Sequence, residues 1–154
     1  PLYTKKIGNK DNKENTGRVS LMGLDMKNKD NDYMKATIRH GDEFIKSIAK
    51  SKNIIFIKID VEGFELKVLS GLMQTIELSK PIIQMEANPV TMSMTNTSID
   101  HIQEFAKSIK YSCYVLKKKS IELIGVDFTM PKGVNEVILI PKNNKILERE
   151  VYFG

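Results

Sequence analysis

Apolar side chains change their spacing along the chain, and this change outlines the predicted fold. The run Ile54 to Ile57 within 54–60 lacks alternation, which is typical of a strand covered on both faces of a parallel sheet. A second apolar run at 82–87 predicts another strand. Between them, six apolar residues at helical spacing predict a helix: Phe64, Val68, Leu69, Leu72, Met73 and Ile76. Residues 54–87 are therefore expected to form one βαβ unit with a right-handed crossover.

Further elements are predicted on both sides of this unit. Asp42 can cap a preceding helix whose apolar face carries Phe44, Ile45, Ile48 and Ala49. A later helix is expected at 98–109, capped by Thr97 or Ser98. The loop before it contains Met92 and Met94, which either fill the core or form a methionine surface that faces a substrate. Strands are predicted at 2–7, 18–24, 111–116, 120–125 and 134–140, with a weaker candidate at 36–39. Because consecutive strands follow the β/α units, an α/β fold with an antiparallel edge is expected.

Composition limits the number of domains and the class of partner. A chain of 154 residues with 41% hydrophobic residues is long enough for one ordinary core, so one domain is expected. The net charge is +5, but acids and bases are interleaved and the only tight basic run is 117–119, at an expected hairpin turn. A solvated turn is favoured over a nucleic-acid or membrane surface. No apolar run approaches the roughly 20 residues that span a bilayer.

The number of cysteines limits which disulfides and metal sites the chain can form. Cys113 is the single cysteine, so an intrachain disulfide and a cysteine-rich zinc site are both excluded. Its place in an apolar alternation favours a buried, inert thiol over a nucleophile. A reducing, cytoplasmic setting is the expectation.

Acidic residues collect where the two central strands end. Asp60, Glu62 and Glu65 follow the first strand, and Glu86 and Asn88 end the second. Ligands of open α/β sheets bind at such carboxyl ends, so Asp60, Glu62 and Glu86 are expected to converge if the strands are adjacent. Glu62 and Glu65 also suit a plain capping role in a first helical turn.

A purely structural role is harder to assign to Asp60 and Glu86 than to Glu62 and Glu65. Each ends an apolar strand, where desolvation raises a carboxyl pKa unless a partner compensates, and Lys58 is a candidate partner for Asp60. A cation between Asp60 and Glu86 is conceivable, but no histidine joins them and no metal is predicted.

The stretch 56–65, with Lys-Ile-Asp-Val-Glu-Gly at its centre, resembles the signature of FkbM-type methyltransferases. Val-Leu-Ser-Gly at 68–71 and the Pro-led strand that ends in Glu at 80–86 extend the resemblance. The segments 42–45 and 136–141 are also similar to the helix start and the closing strand of that family.

The resemblance implies a class I methyltransferase fold, a Rossmann-like sheet with antiparallel C-terminal strands. It further implies transfer of a methyl group from S-adenosyl-L-methionine to a hydroxyl of a small molecule or glycan. Asp60 would lie near the transferred methyl group and orient or deprotonate the acceptor, with Glu62 or Glu86 as the alternative base. The implied site comprises catalytic Asp60, Glu62 and Glu86, substrate-binding Lys58, Glu65 and Asn88, and cofactor-binding Asp60 and Val61.

One part of the family pattern is missing from this sequence. Such enzymes hold the cofactor mainly on a first strand and its Gly-rich turn, and no Gly-x-Gly turn follows an apolar strand here. If 2–7 is the third strand, residues 1–154 are a single partial domain that lacks the N-terminal cofactor-binding strands. Such a chain is expected to bind the cofactor poorly by itself. The alternative is a catalytically inactive binding module.

Overall fold

The computed structural model describes the backbone of residues 2–6, 19–20, 33–49, 53–117, 120–124 and 131–142, and side chains within these ranges from residue 37 onward. The chain divides into two compact units, residues 1–39 and 40–154. The single partial domain expected over 1–154 stays a prediction.

The first unit contains a three-stranded antiparallel sheet in the order β2-β1-β3. Its strands are β1 (Leu2–Lys6), β2 (Val19–Ser20) and β3 (Tyr33–Ala36). The predicted strands at 2–7 and 18–24 are confirmed where the chain is described. The candidate at 36–39 is wrong beyond Ala36, because Ala36 pairs with Leu2, where β1 begins. Both neighbours of β1 are antiparallel, so this sheet does not support its assignment as the third strand of a parallel sheet.

The second unit contains a five-stranded sheet in the order β4-β5-β8-β6-β7. Strands β4 and β5 are parallel and the other pairings are antiparallel, which confirms the α/β fold with an antiparallel edge. The elements are α1 (Gly41–Ala49), β4 (Phe56–Ile59), α2 (Glu65–Gly71), α3 (Met73–Ser79), β5 (Ile82–Ala87), α4 (Pro89–Met94), α5 (Ile99–Ser108), β6 (Tyr111–Leu116), β7 (Ile121–Leu123) and β8 (Asn135–Pro141).

Strand β4 is not covered on both faces, contrary to the prediction. Ile59 is 3% exposed and Ile57 packs against the core, but Ile55 is 77% and Phe56 50% exposed. In the described sheet β4 is the terminal strand and pairs only with β5. Its burial alternates, as in a strand with one covered face, which here carries Ile57 and Ile59.

The single helix predicted between β4 and β5 is divided at Leu72 into α2 and α3. The first turn of α3 receives its cap from α1: Asp42 accepts hydrogen bonds from the backbone N–H groups of Gln74 at 3.0 Å and Thr75 at 2.9 Å. The Thr75 hydroxyl also donates to Asp42, at 2.7 Å. The prediction that Asp42 caps its own helix is therefore wrong, because it is buried and faces α3.

The core lies around the central strands β5, β8 and β6. Its fully buried side chains include Leu69, Ile76, Ile83, Met85, Ile102, Tyr111, Val115, Val137 and Leu139. The Tyr111 hydroxyl is satisfied there by donating to the Pro81 carbonyl at 3.0 Å. By contrast, Phe44 and Ile48 of α1 are 44% and 58% exposed, so the predicted apolar face of that helix is only partly covered.

The C-terminal part follows the predicted order closely. Ser98 caps α5, with its side chain accepting from the His101 N–H group, and β6 has the predicted bounds. Strands β6 and β7 form the expected hairpin, in which Lys117 pairs with Glu122 at 3.5 Å. The remaining lysines of the basic run, at 118–119, lie outside the described residues. Within the described part of the chain, no helix is long and apolar enough to cross a membrane.

Candidate functional site

The parallel pairing of β4 with β5 brings three carboxylates together. Ile59 pairs with Met85, so Asp60 and Glu86 follow at the same edge of the sheet, and Glu62 lies in the turn after β4. One carboxylate oxygen from each acid lies within 4.8 Å of the others. Asp60 is exposed, while Glu62 and Glu86 are half-buried. The predicted convergence of these residues is therefore confirmed as geometry, and we call them the acidic cluster.

The turn that carries Glu62 has an unusual backbone that is held on two sides. Glu62 and Gly63 have φ angles of +51° and +99°. The Gly63 N–H group donates to Glu65 Oε1 at 3.1 Å, and the Gly63 carbonyl accepts from the Thr95 hydroxyl at 2.8 Å. A Cβ atom at Gly63 would lie 2.6 Å from the Thr91 carbonyl oxygen, so only glycine fits against α4.

Glu65 and Asn88, both predicted to bind substrate, make contacts within the protein. Glu65 is 4% exposed and holds the Gly63 amide, which suits a role in positioning the turn. The Asn88 side chain accepts from the Val90 N–H group at 3.0 Å and caps α4. Their roles toward a substrate stay predictions.

Helix α4 replaces the loop that was predicted after β5. Asn88 supplies an N-cap and Pro89 fits the first helical position, so the local sequence already contains a helix start. Met92 is 3% exposed and belongs to the core, whereas Met94 is 53% exposed. Of the two methionines considered for a surface that faces a substrate, only Met94 is therefore exposed to solvent.

The sequence model of the methyltransferase FkbM domain matches residues 2–113, which is more than half of the chain. The chain belongs to the FkbM methyltransferase family. The matched segment contains the whole acidic cluster and both strands that support it. Neither a curated protein nor a solved structure matches the chain.

In this FkbM domain the surroundings of Glu86 favour its protonated form. Burial raises the pKa of Glu86, and the negative charges of Asp60, Glu62, Glu136 and Glu65 raise it further. Glu136 is a residue that the sequence did not single out for the site. It pairs with Glu86 across β5 and β8, and its carboxylate accepts from the Gln84 side-chain amide at 2.9 Å. Its presence depends on the register of two strands that are far apart in sequence.

The proposed pairing of Lys58 with Asp60 does not form in the FkbM domain. Lys58 is exposed and makes no ion pair with Asp60 or with another described residue. Both side chains are exposed to solvent, and an ion pair between exposed charges gains little free energy. The acidic cluster thus has no compensating lysine from its own strand.

The acidic cluster is suited to positively charged groups. Three converging carboxylates match the oxygen ligands that hard divalent cations prefer, although exposed acids often cluster without an ion. The same charge complements the sulfonium and amino groups of S-adenosyl-L-methionine. Val61, between Asp60 and Glu62, is half-buried and packs against the core, which fixes the backbone beside both acids.

Proposed function

We propose that this chain forms the acceptor side of an S-adenosyl-L-methionine-dependent O-methyltransferase that acts on a hydroxyl of a small molecule or glycan. The observation that carries the proposal is the convergence of Asp60, Glu62 and Glu86 inside the segment that matches the family. The proposal includes a class I, Rossmann-like arrangement and, from its single buried cysteine, a cytoplasmic setting.

The chain's own task in this reaction is to remove a proton from the acceptor. When bound, the cofactor supplies an electrophilic methyl group. Glu86 is proposed as the general base, because its pKa is raised toward the range in which a carboxylate accepts a proton effectively. The hydroxyl proton passes to the Glu86 carboxylate as the oxygen becomes nucleophilic. Asp60, exposed at the end of β4, is proposed to orient the hydroxyl, and Glu62 is the alternative base.

Asp60 and Val61 are also proposed to contact the cofactor. Negative charge at Asp60 and Glu62 would attract its cationic end, while Val61 offers a short apolar surface beside them. Lys58, exposed on the same strand, is proposed to contact a polar acceptor. The partner implied by these groups is a small polyhydroxylated molecule.

Two separate measurements on the full-length natural protein test the proposal. Calorimetry measures binding of S-adenosyl-L-methionine, and labelled methyl transfer is followed with a panel of sugar and small-molecule hydroxyl acceptors. Glu86→Gln is expected to lower turnover by about 10²- to 10⁴-fold while cofactor binding is retained, because general-base catalysis contributes a factor of that size.

The matched control is Glu104→Gln, which removes an exposed carboxylate on α5. This variant should keep full activity. A full-length protein that binds no cofactor and transfers no methyl group would reject the enzyme and leave the inactive binding module. Binding with unchanged turnover in Glu86→Gln would reject only the assignment of the base.

A further inference from the structure

A cavity of about 220 Å³ lies away from the acidic cluster, between α5, β6, β7 and the residue that follows β8. Strand β8 runs antiparallel to β5, and its first residue, Asn135, pairs with Ala87 beside the acidic cluster. Lys142, which follows the other end of β8, therefore lies toward the opposite end of the sheet. The cavity and the acidic cluster are two separate places in the fold.

The floor of the cavity is apolar. Ala106, Cys113 and Ile124 line it and are 1%, 5% and 7% exposed. Burial raises the pKa of the Cys113 thiol to about 12, so this side chain is neutral and adds no charge. Leu123, which is 58% exposed, adds apolar surface within reach of a ligand. These groups offer a small molecule a hydrophobic contact and nothing that would attract a cation.

The polar lining of the cavity is basic. Two exposed lysines, Lys107 of α5 and Lys142, reach it from different elements, together with the half-buried Ser112. The lining also contains the buried Gln103, whose side-chain amide donates to the Ile124 carbonyl at 3.2 Å. Neither lysine forms an ion pair with a described residue, and no carboxylate is among the described residues that line the cavity. Two unpaired ammonium groups beside low-dielectric walls create a positive potential that favours an anion.

The volume of the cavity suits a small anion. An apolar cavity of about 150 Å³ accommodates benzene, so this one has room for a single ring with a charged substituent. We propose that the cavity binds a small carboxylate carried on an apolar body, of the size of benzoate. Its carboxylate would accept charge-assisted hydrogen bonds from Lys107 and Lys142, and its ring would cover Ala106, Cys113 and Ile124. The inference is independent of methyl transfer.

A titration of the full chain with benzoate, followed by amide NMR, tests the proposal. Saturable shifts are expected at Ala106, Cys113 and Ile124. Benzyl alcohol, which has the same ring without the charge, and inorganic phosphate, which has charge without the ring, should each bind about tenfold more weakly or worse. The double variant Lys107→Gln/Lys142→Gln should weaken benzoate binding by about tenfold or more, because charged hydrogen bonds are lost.

Lys110→Gln is the matched control for the lysine variants. The Lys110 carbonyl accepts from the Lys142 N–H group at 3.1 Å, so this exposed lysine shares the same end of the sheet without lining the cavity. Its replacement should leave benzoate affinity unchanged. The proposal is overturned by an absence of saturable shifts with benzoate, by equal binding of benzyl alcohol or phosphate, or by an equal loss of affinity in Lys110→Gln.

Discussion

At the scale of single residues, the charged form of Glu86 lowers the free energy of unfolding, and the size of this effect depends on pH. Its pKa is raised by burial and by the surrounding carboxylates, so the folded state holds the proton more tightly than the unfolded state, where the ordinary value is 4.5. Above the raised pKa the charged carboxylate destabilises the fold, and this penalty disappears as the pH falls toward 4.5.

Glu86→Gln should therefore raise the free energy of unfolding at neutral pH and have little effect near about pH 4, where the wild-type side chain is largely protonated. Urea unfolding at the two pH values measures the difference. Glu104→Gln, on the solvent-exposed side of α5, should change neither value. A gain in Glu86→Gln that is the same at both pH values would contradict the electrostatic origin of the penalty.

Gly63 allows a second comparison, because two glycines with similar backbones differ in their surroundings. Gly63 has φ +99° and a Cβ would lie 2.6 Å from the Thr91 carbonyl oxygen, whereas Gly133 has φ +90° and open space around it. Gly133→Ala should cost about 1 kcal/mol from backbone strain alone, and Gly63→Ala clearly more, since the clash displaces the turn against α4. Equal losses in urea unfolding would show that α4 yields to the added methyl group.

At the scale of elements, the boundaries that local sequence controls were predictable. Strands β5 and β6 match their predicted ranges because each is an apolar run bounded by residues that end it. The start of α4 is also present locally, in Asn88 and Pro89, although this segment is predicted to be a loop. The division at Leu72 was not predictable, since the cap of α3 comes from Asp42, more than 30 residues earlier.

The cap that Asp42 supplies to α3 should be worth about 2 kcal/mol, since a charged acceptor there receives three hydrogen bonds. Burial works to raise the pKa of Asp42, but the hydrogen bonds from Thr75 and Gln74 and the nearby His40 hold it below its ordinary value of 3.8. The contribution is therefore complete above pH 3.8 and is lost as the pH falls through the lowered pKa.

Asp42→Ala should lower the free energy of unfolding by that amount at neutral pH, as measured in urea. Asp42→Asn should lose less, because its amide oxygen still accepts from one backbone N–H group of α3. Glu43→Ala, the exposed neighbour on α1, is the matched control and should be nearly neutral. Comparable losses at both positions would place the effect in α1 itself and not in the cap of α3.

At the scale of the whole molecule, the sequence predicts the acidic cluster but neither Glu136 beside it nor the cavity. Asp60, Glu62 and Glu86 converge because the ends of adjacent parallel strands lie at one edge of a sheet, a rule that needs no long-range information. Glu136 joins them through the antiparallel register of β5 and β8, which sequence spacing does not determine. Lys107 and Lys142 likewise come together at the cavity only through the packing of α5 against β6 and the end of β8.

The terminal position of β4 has a consequence for association between molecules. Within the described sheet its outer edge has no partner strand, and Ile55 and Phe56 expose apolar side chains beside it. Unpaired strand edges with apolar side chains pair readily with other chains, so concentration-dependent association is expected, and Ile55→Lys should suppress it because edge lysines oppose such pairing.

Light scattering across a concentration series measures this association. Leu78→Lys provides the control, because Leu78 is 85% exposed but lies on the helix α3 and not in a strand. If the edge itself drives association, Ile55→Lys should reduce scattering strongly and Leu78→Lys only weakly. Equal suppression by both variants would assign the association to general surface hydrophobicity, and β4 would then have no special part in it.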